Sequence, residues 1–141
     1  MPKQTPREYA LSNIPIFSGL TKKDLASVQR MMSKVPIEAG EEFITEGSVG
    51  RVAYIIVSGN ASVWKGGTLV ASVGPGAVIG EMALLAGTPC NATVKAESDL
   101  MVEALDSREF SAFLDANVAV TRRLLKATIM RLLQTEPSLL G

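Results

Sequence analysis

Gly80-Glu81-Met82-Ala83-Leu84-Leu85-Ala86-Gly87-Thr88-Pro89-Cys90-Asn91-Ala92-Thr93 interrupts a region otherwise written as short strands. Glu81 to Ala86 are strong helix formers, and Gly87 is a stop signal. Gly80 lets the backbone turn sharply into that helix. The first amides of a helix have no partners within it, and the helix dipole adds positive potential there. An anion is the natural guest at such an end. Glu81 sets an acceptor beside it. A carboxylate is a poor phosphate ligand but suits sugar hydroxyls, so the arrangement hints at a nucleotide-like ligand. The plainer role for Glu81 is to complement the dipole, since Gly-Glu before a helix is common.

Outward from this stretch, Val35 to Asp106 alternates short apolar runs with glycine-containing turns. The runs are Glu42–Thr45, Val52–Ser58, Ala61–Lys65, Thr68–Val73, Asn91–Ala96 and Leu100–Leu105. Ala39-Gly40, Glu46-Gly47, Ser58-Gly59, Gly66-Gly67 and Gly74-Pro75-Gly76 break them. Gly66-Gly67 between two strand-like runs is a tight hairpin signal. The pattern predicts a mainly β fold with flanking helices, a β-roll or jelly-roll sandwich of about eight strands.

Helical patterns flank the roll. Thr21 caps a helix in which Asp24 complements the positive end and Leu25, Val28, Met31 and Met32 share a face, with Pro36 as the stop. Ser107 is the expected cap of a helix carrying Phe110, Phe113 and Leu114. A second helix is expected from about Asn117 to Gln134. Its apolar face reads Val118, Leu125, Ile129 and Leu132, widened by Val120 and Leu124. Arg122, Arg123, Lys126 and Arg131 keep its other side wet. The expected organisation is an N-terminal extension over 1–13, one domain over 14–136 (roll about 35–106, terminal helices about 107–135) and a tail over 137–141.

Composition narrows the function. Hydrophobic residues at 47% supply a real core for 141 residues, which suits one domain. Fourteen basic and fourteen acidic side chains leave no net charge, hence no footprint for nucleic acid. The chain has no histidine, so the commonest metal ligand and general base are missing, and neither a metal site nor catalytic residues are expected. Cys90 is the single cysteine, which rules out an internal disulfide and fits a cytoplasmic protein. No run is apolar enough to span a bilayer, and residues 1–9 do not read as a signal peptide.

The Gly80–Thr93 segment resembles the phosphate-binding cassette of cyclic-nucleotide-binding domains, whose pattern is roughly Gly-Glu, apolar residues, then Pro-Arg-Ala/Ser-Ala-Thr. Glu46-Gly47-Ser48-Val49-Gly50, Tyr54-Ile55-Ile56 and Gly59 resemble the family's early strands. Val73-Gly74-Pro75-Gly76 resembles the turn before the cassette, and Ile16-Phe17-Ser18-Gly19-Leu20 the motif that opens the domain. The likeness spans about Ile14 to Gln134. It implies that Gly80, Glu81, Met82, Ala83, Leu84, Cys90, Asn91, Ala92 and Thr93 line a ligand site for cAMP or cGMP. Glu81 would bind the ribose hydroxyl, the amides of Met82, Ala83 and Leu84 the cyclic phosphate, and the last helix would act as a lid.

One departure falls on the motif's most diagnostic position. Cys90 stands where the family has its phosphate-binding arginine, and Asn91 follows in place of Ala, Ser or Thr. A charge-assisted hydrogen bond contributes roughly 1.5–3 kcal/mol, so its loss weakens binding by roughly ten- to over a hundredfold. The site then either binds cyclic nucleotide weakly, takes a ligand neutral at that point, or is silent. Cys90 alternatively reads as a small buried apolar side chain and Asn91 as a strand-end residue. Arg51, where the family often has an acidic residue, reads as solvated, as does Lys95. Trp64 reads as a surface-packing aromatic. The leading expectation is a non-enzymatic sensor whose terminal helices move an effector domain or protein partner. The rival is a degenerate interaction module, and monomer and dimer both stay open.

Overall fold

A computed structural model describes residues 20–135. Residues 1–13, the opening motif Ile16–Gly19 and the 137–141 tail lie outside the described residues. Helix α1 (Lys22–Arg30) is followed by strands β1 (Met32–Ile37), β2 (Glu42–Ile44), β3 (Val52–Ser58), β4 (Ala61–Lys65), β5 (Thr68–Val73) and β6 (Val78–Ile79). Then come helix α2 (Glu81–Ala86), strands β7 (Thr93–Ala96) and β8 (Leu100–Asp106), and helices α3 (Ser107–Ala116) and α4 (Val118–Thr135). The eight strands form two four-stranded antiparallel sheets, ordered β1-β8-β3-β6 and β2-β7-β4-β5. The expected roll of about eight strands with flanking helices is what the chain forms.

The first sheet is covered on both faces, which explains why β3 reads as an almost unbroken apolar run. Ile56, Leu100 and Val102 face Ile44, Val94 and Ala96 of the second sheet. Ala53, Ile55 and Leu105 face a helical layer that contributes Val28, Phe110, Val120 and Leu124. Glu103 of β8 is buried among these elements. Gly66 and Gly67 both have positive φ, 57° and 80°, as a two-residue hairpin between β4 and β5 requires.

Several local expectations are corrected. Helix α1 ends at Arg30; Met31 is its C-cap and Met32 already begins β1. Pro36 therefore does not stop the helix. It sits inside β1, tolerated because β1 is an edge strand. Thr21 does cap α1, within a complete capping box that includes Asp24. The cap of α3 is Asp106 rather than Ser107: its carboxylate accepts from the Arg108 and Glu109 amides at 2.8 and 3.3 Å. Among the described side chains of α4, Val120 and Leu124 are buried, whereas Val118, Leu125 and Ile129 of the expected core face are exposed. Leu132 and Arg131 lie outside the residues whose side chains are described. Arg123 is not a free wet cation; it donates to the Asp24 carboxylate of α1.

Candidate functional site

The turn into α2 is built by Gly80 at φ +84°, a conformation that disfavours any side chain. A Cβ there would stand 3.0 Å from the Val52 carbonyl oxygen, so β3 also fixes how closely the turn packs. On the other side, a Cβ at Gly50 would overlap that of Ala83. Helix α2 is thus seated against β3 and the β2–β3 loop with no room for another carbon. The Leu84 amide donates to the Gly80 carbonyl at 3.1 Å and the Gly87 amide to the Ala83 carbonyl at 2.9 Å. The Leu84 amide thus makes the first hydrogen bond of the helix. The amides that a helix start leaves free are those of Glu81, Met82 and Ala83. The side chains of Glu81 and Met82 lie outside the described residues.

Beside this turn is an open hollow of about 200 Å³. Gly80, Ala83, Cys90, Asn91 and Ala92 line it, together with apolar side chains of both sheets such as Ile44, Val63 and Val94. Of the described residues singled out in the sequence, these five meet at one place. Asn91 is exposed at its mouth, and its side chain makes no hydrogen bond among the described residues. Thr93 does not line the hollow. Val94 points inward, so its neighbours Thr93 and Lys95 face out of the sandwich, and the Thr93 hydroxyl accepts the Glu46 amide at 3.0 Å.

Cys90 is held by its backbone. Its amide donates to the Ser48 carbonyl and its carbonyl accepts the Gly47 amide, both at 2.8 Å, and Pro89 bridges Val49 next to them. The half-buried thiol lies between the first hollow and a second of about 180 Å³, lined by Phe43, Thr45, Ser48, Arg51 and Tyr54 among others. Burial pushes the Tyr54 phenol above its usual range, helped by the nearness of Cys90 and Glu41. Tyr54 also meets Phe43 edge to face, with centroids 5.3 Å apart. The sequence alone points to no role for this second hollow, because its lining is gathered from β2, β3, the loop between them and Cys90.

Lys95 and Trp64, both read as plain surface residues, pair on the outer face. The Lys95 ammonium sits 5.1 Å from the indole centroid, and the indole N–H donates to the Ser62 hydroxyl at 2.8 Å. Lys95 therefore does not replace the missing arginine. Among the described residues no cluster suits a metal ion, and no helix is long and apolar enough to cross a membrane.

Comparison with known proteins agrees with this geometry. The family model described as cyclic nucleotide-binding domain matches residues 34–117. A cAMP-dependent protein kinase regulatory subunit of Hypocrea atroviridis is 33% identical over 116 residues, covering 82% of this chain and 25% of that protein. The chain thus spans about a quarter of that relative's length. The N-terminal domain of a transcriptional regulator from Streptomyces coelicolor superposes with a TM-score of 0.83 at 27% identity, over 91% of this chain and 95% of that one. The regulatory domain of Toxoplasma gondii PKA, solved with cAMP, gives a TM-score of 0.73 at 34% identity, over 79% of this chain and 46% of that one.

Proposed function

The chain belongs to the cyclic nucleotide-binding domain family, and on that premise we propose that it is a sensor of cAMP or cGMP within the cytoplasm. Its domain is a ligand-binding module of a regulatory kind rather than an enzyme. The observation that carries the reading is the hollow beside α2, with Gly80, Ala83, Cys90, Asn91 and Ala92 on its walls. The sugar would lie by Glu81 and the cyclic phosphate by the amides that open α2. The apolar inner walls of the two sheets would take part of the purine.

Ligand in this hollow would act by shifting a population of conformers. Helix α2 packs on β3, and β3 carries Ala53 and Ile55 into the helical layer with Val120 and Leu124. A displaced α2 therefore reaches α4 through packed side chains. An effector domain or a protein partner would read that motion. Residues 14–136 are the proposed sensing unit.

A second reading is favoured by one observation: no charged side chain among the described residues lines the first hollow. On that reading the domain has lost its ligand and serves as an interaction module. Calorimetric titration of the protein with cAMP and with cGMP separates the two. The sensor reading expects saturable binding at about micromolar concentration, which corresponds to roughly −8 kcal/mol. A flat titration with folded protein leaves the interaction module.

A further inference from the structure

We propose that Arg51 supplies the positive charge for an anionic group bound here, in place of the arginine absent at position 90. The inference rests on the cyclic-nucleotide reading above. Arg51 belongs to the loop that runs along Pro89 and Cys90, hydrogen-bonded to it through Gly47 and Ser48. Both its neighbours touch the α2 turn: Gly50 abuts Ala83, and the Val52 carbonyl faces Gly80. Its own carbonyl accepts the Ser107 amide at 2.8 Å. The backbone is thus fixed on each side while the side chain is exposed.

Arg51 lines the second hollow, which shares Ile44 and Cys90 with the first. Among the described residues it is the one charged group lining either hollow. Two carboxylates of β2 and the loop after it are engaged elsewhere. Glu46 accepts the Gly66 amide at 3.1 Å, and Glu42 accepts the Thr45 hydroxyl at 2.8 Å. Arg51 makes no ion pair among the described residues. A guanidinium without a counter-ion among the described residues, carried by a loop held against Cys90 and the opening turn of α2, presents a planar fork matched to two oxygens of a phosphate.

The test is calorimetric titration of the full chain with cAMP. Wild type is compared with Arg51→Gln, with the double variant Arg51→Gln/Cys90→Arg, and with Arg30→Gln as a distant cation removed. Thermal melting checks that each is folded. The expected result is binding by wild type, a loss of about tenfold or more in Arg51→Gln, recovery in the double variant, and no change in Arg30→Gln. Equal affinity in wild type and Arg51→Gln overturns the proposal and leaves the cyclic-nucleotide reading standing. An equal loss in Arg30→Gln also overturns it, because the effect is then one of net charge. No binding by folded wild type overturns the cyclic-nucleotide reading itself, and the proposal with it.

Discussion

Arg123 of α4 donates to the carboxylate of Asp24 in α1, ninety-nine positions earlier in the chain. The same carboxylate accepts the Thr21 amide and completes the capping box of α1. One acidic side chain thus holds a helix start and ties the two ends of the domain together. The pair is only partly shielded, with side-chain exposures of 35% for Arg123 and 17% for Asp24.

Removing Asp24 should cost more than removing Arg123. Asp24→Ala loses the reciprocal half of the capping box (the Thr21 amide bond) and the ion pair, and leaves a guanidinium whose Nε is already buried without a hydrogen-bond partner among the described residues. A double-mutant cycle of Asp24→Ala and Arg123→Ala, followed by urea unfolding, should give a coupling of about 0.5–1 kcal/mol. A coupling indistinguishable from zero would mean that the pair forms no linkage in solution.

The same carboxylate sets an acid dependence. Burial by itself raises its pKa, but hydrogen bonds from Arg123 and Thr21 outweigh that and hold Asp24 below the usual carboxylate range. A depressed folded pKa contributes stability above the unfolded value, about 3.9, and that contribution is lost as pH falls through the folded value. Below about pH 4 the urea midpoint of wild type should therefore fall more steeply than that of Asp24→Asn. Parallel curves would show that Asp24 titrates alike in both states.

Adjacent leucines in α4 should behave oppositely. Leu124 is 4% exposed and Leu125 is 59% exposed. Leu124→Ala should destabilise by about 2–5 kcal/mol, and Leu125→Ala should stay within about 0.5 kcal/mol of wild type. Thermal unfolding of both variants reads the orientation of the helix directly; the reverse order would require the helix to be rotated.

Gly50→Ala should damage the site from a distance. The added methyl overlaps Ala83 and must push α2 away from the loop, at a cost of about 1–3 kcal/mol. Nucleotide affinity should fall with stability, since Ala83 lines the hollow. Unchanged melting and unchanged affinity would show that the two segments are not in contact.

Lys95→Met should separate the outer face from the inner one. It removes the cation over Trp64 and should cost about 0.5–1 kcal/mol. Cyclic-nucleotide affinity should not move, because Lys95 points away from the hollow. A loss of affinity would place that lysine among the ligand's neighbours.

Much of the architecture was legible because it was written in local chemistry. Gly66-Gly67 demanded a hairpin, and Glu81–Ala86 demanded a helix among strands. Misreadings arose where tertiary packing overrode local pattern. Met31 and Met32 continue the periodicity of α1, yet Met32 pairs with Leu105 as the start of β1. Strand β6 has two residues and exists only because Tyr54 and Ile55 pair with it. In α4, two apolar stripes compete, and nothing local says which one meets the core. The site was legible through the family likeness of Gly80–Thr93. Its second hollow was not, because Arg51 and Cys90 are brought together only by the loop's backbone pairing.

Strand β8 lies between β1 and β3 and supplies the hydrogen-bonding partner of both. During synthesis the first sheet therefore cannot be completed until residue 106 has been added and freed, although β3 and β6 can pair earlier. The second sheet waits in the same way, for β7 separates β2 from β4. A nascent chain halted before these strands can close only the β3–β6 and β4–β5 pairs, while β1 and β2 have no neighbour to zip to, which makes late closure the natural route to the native roll.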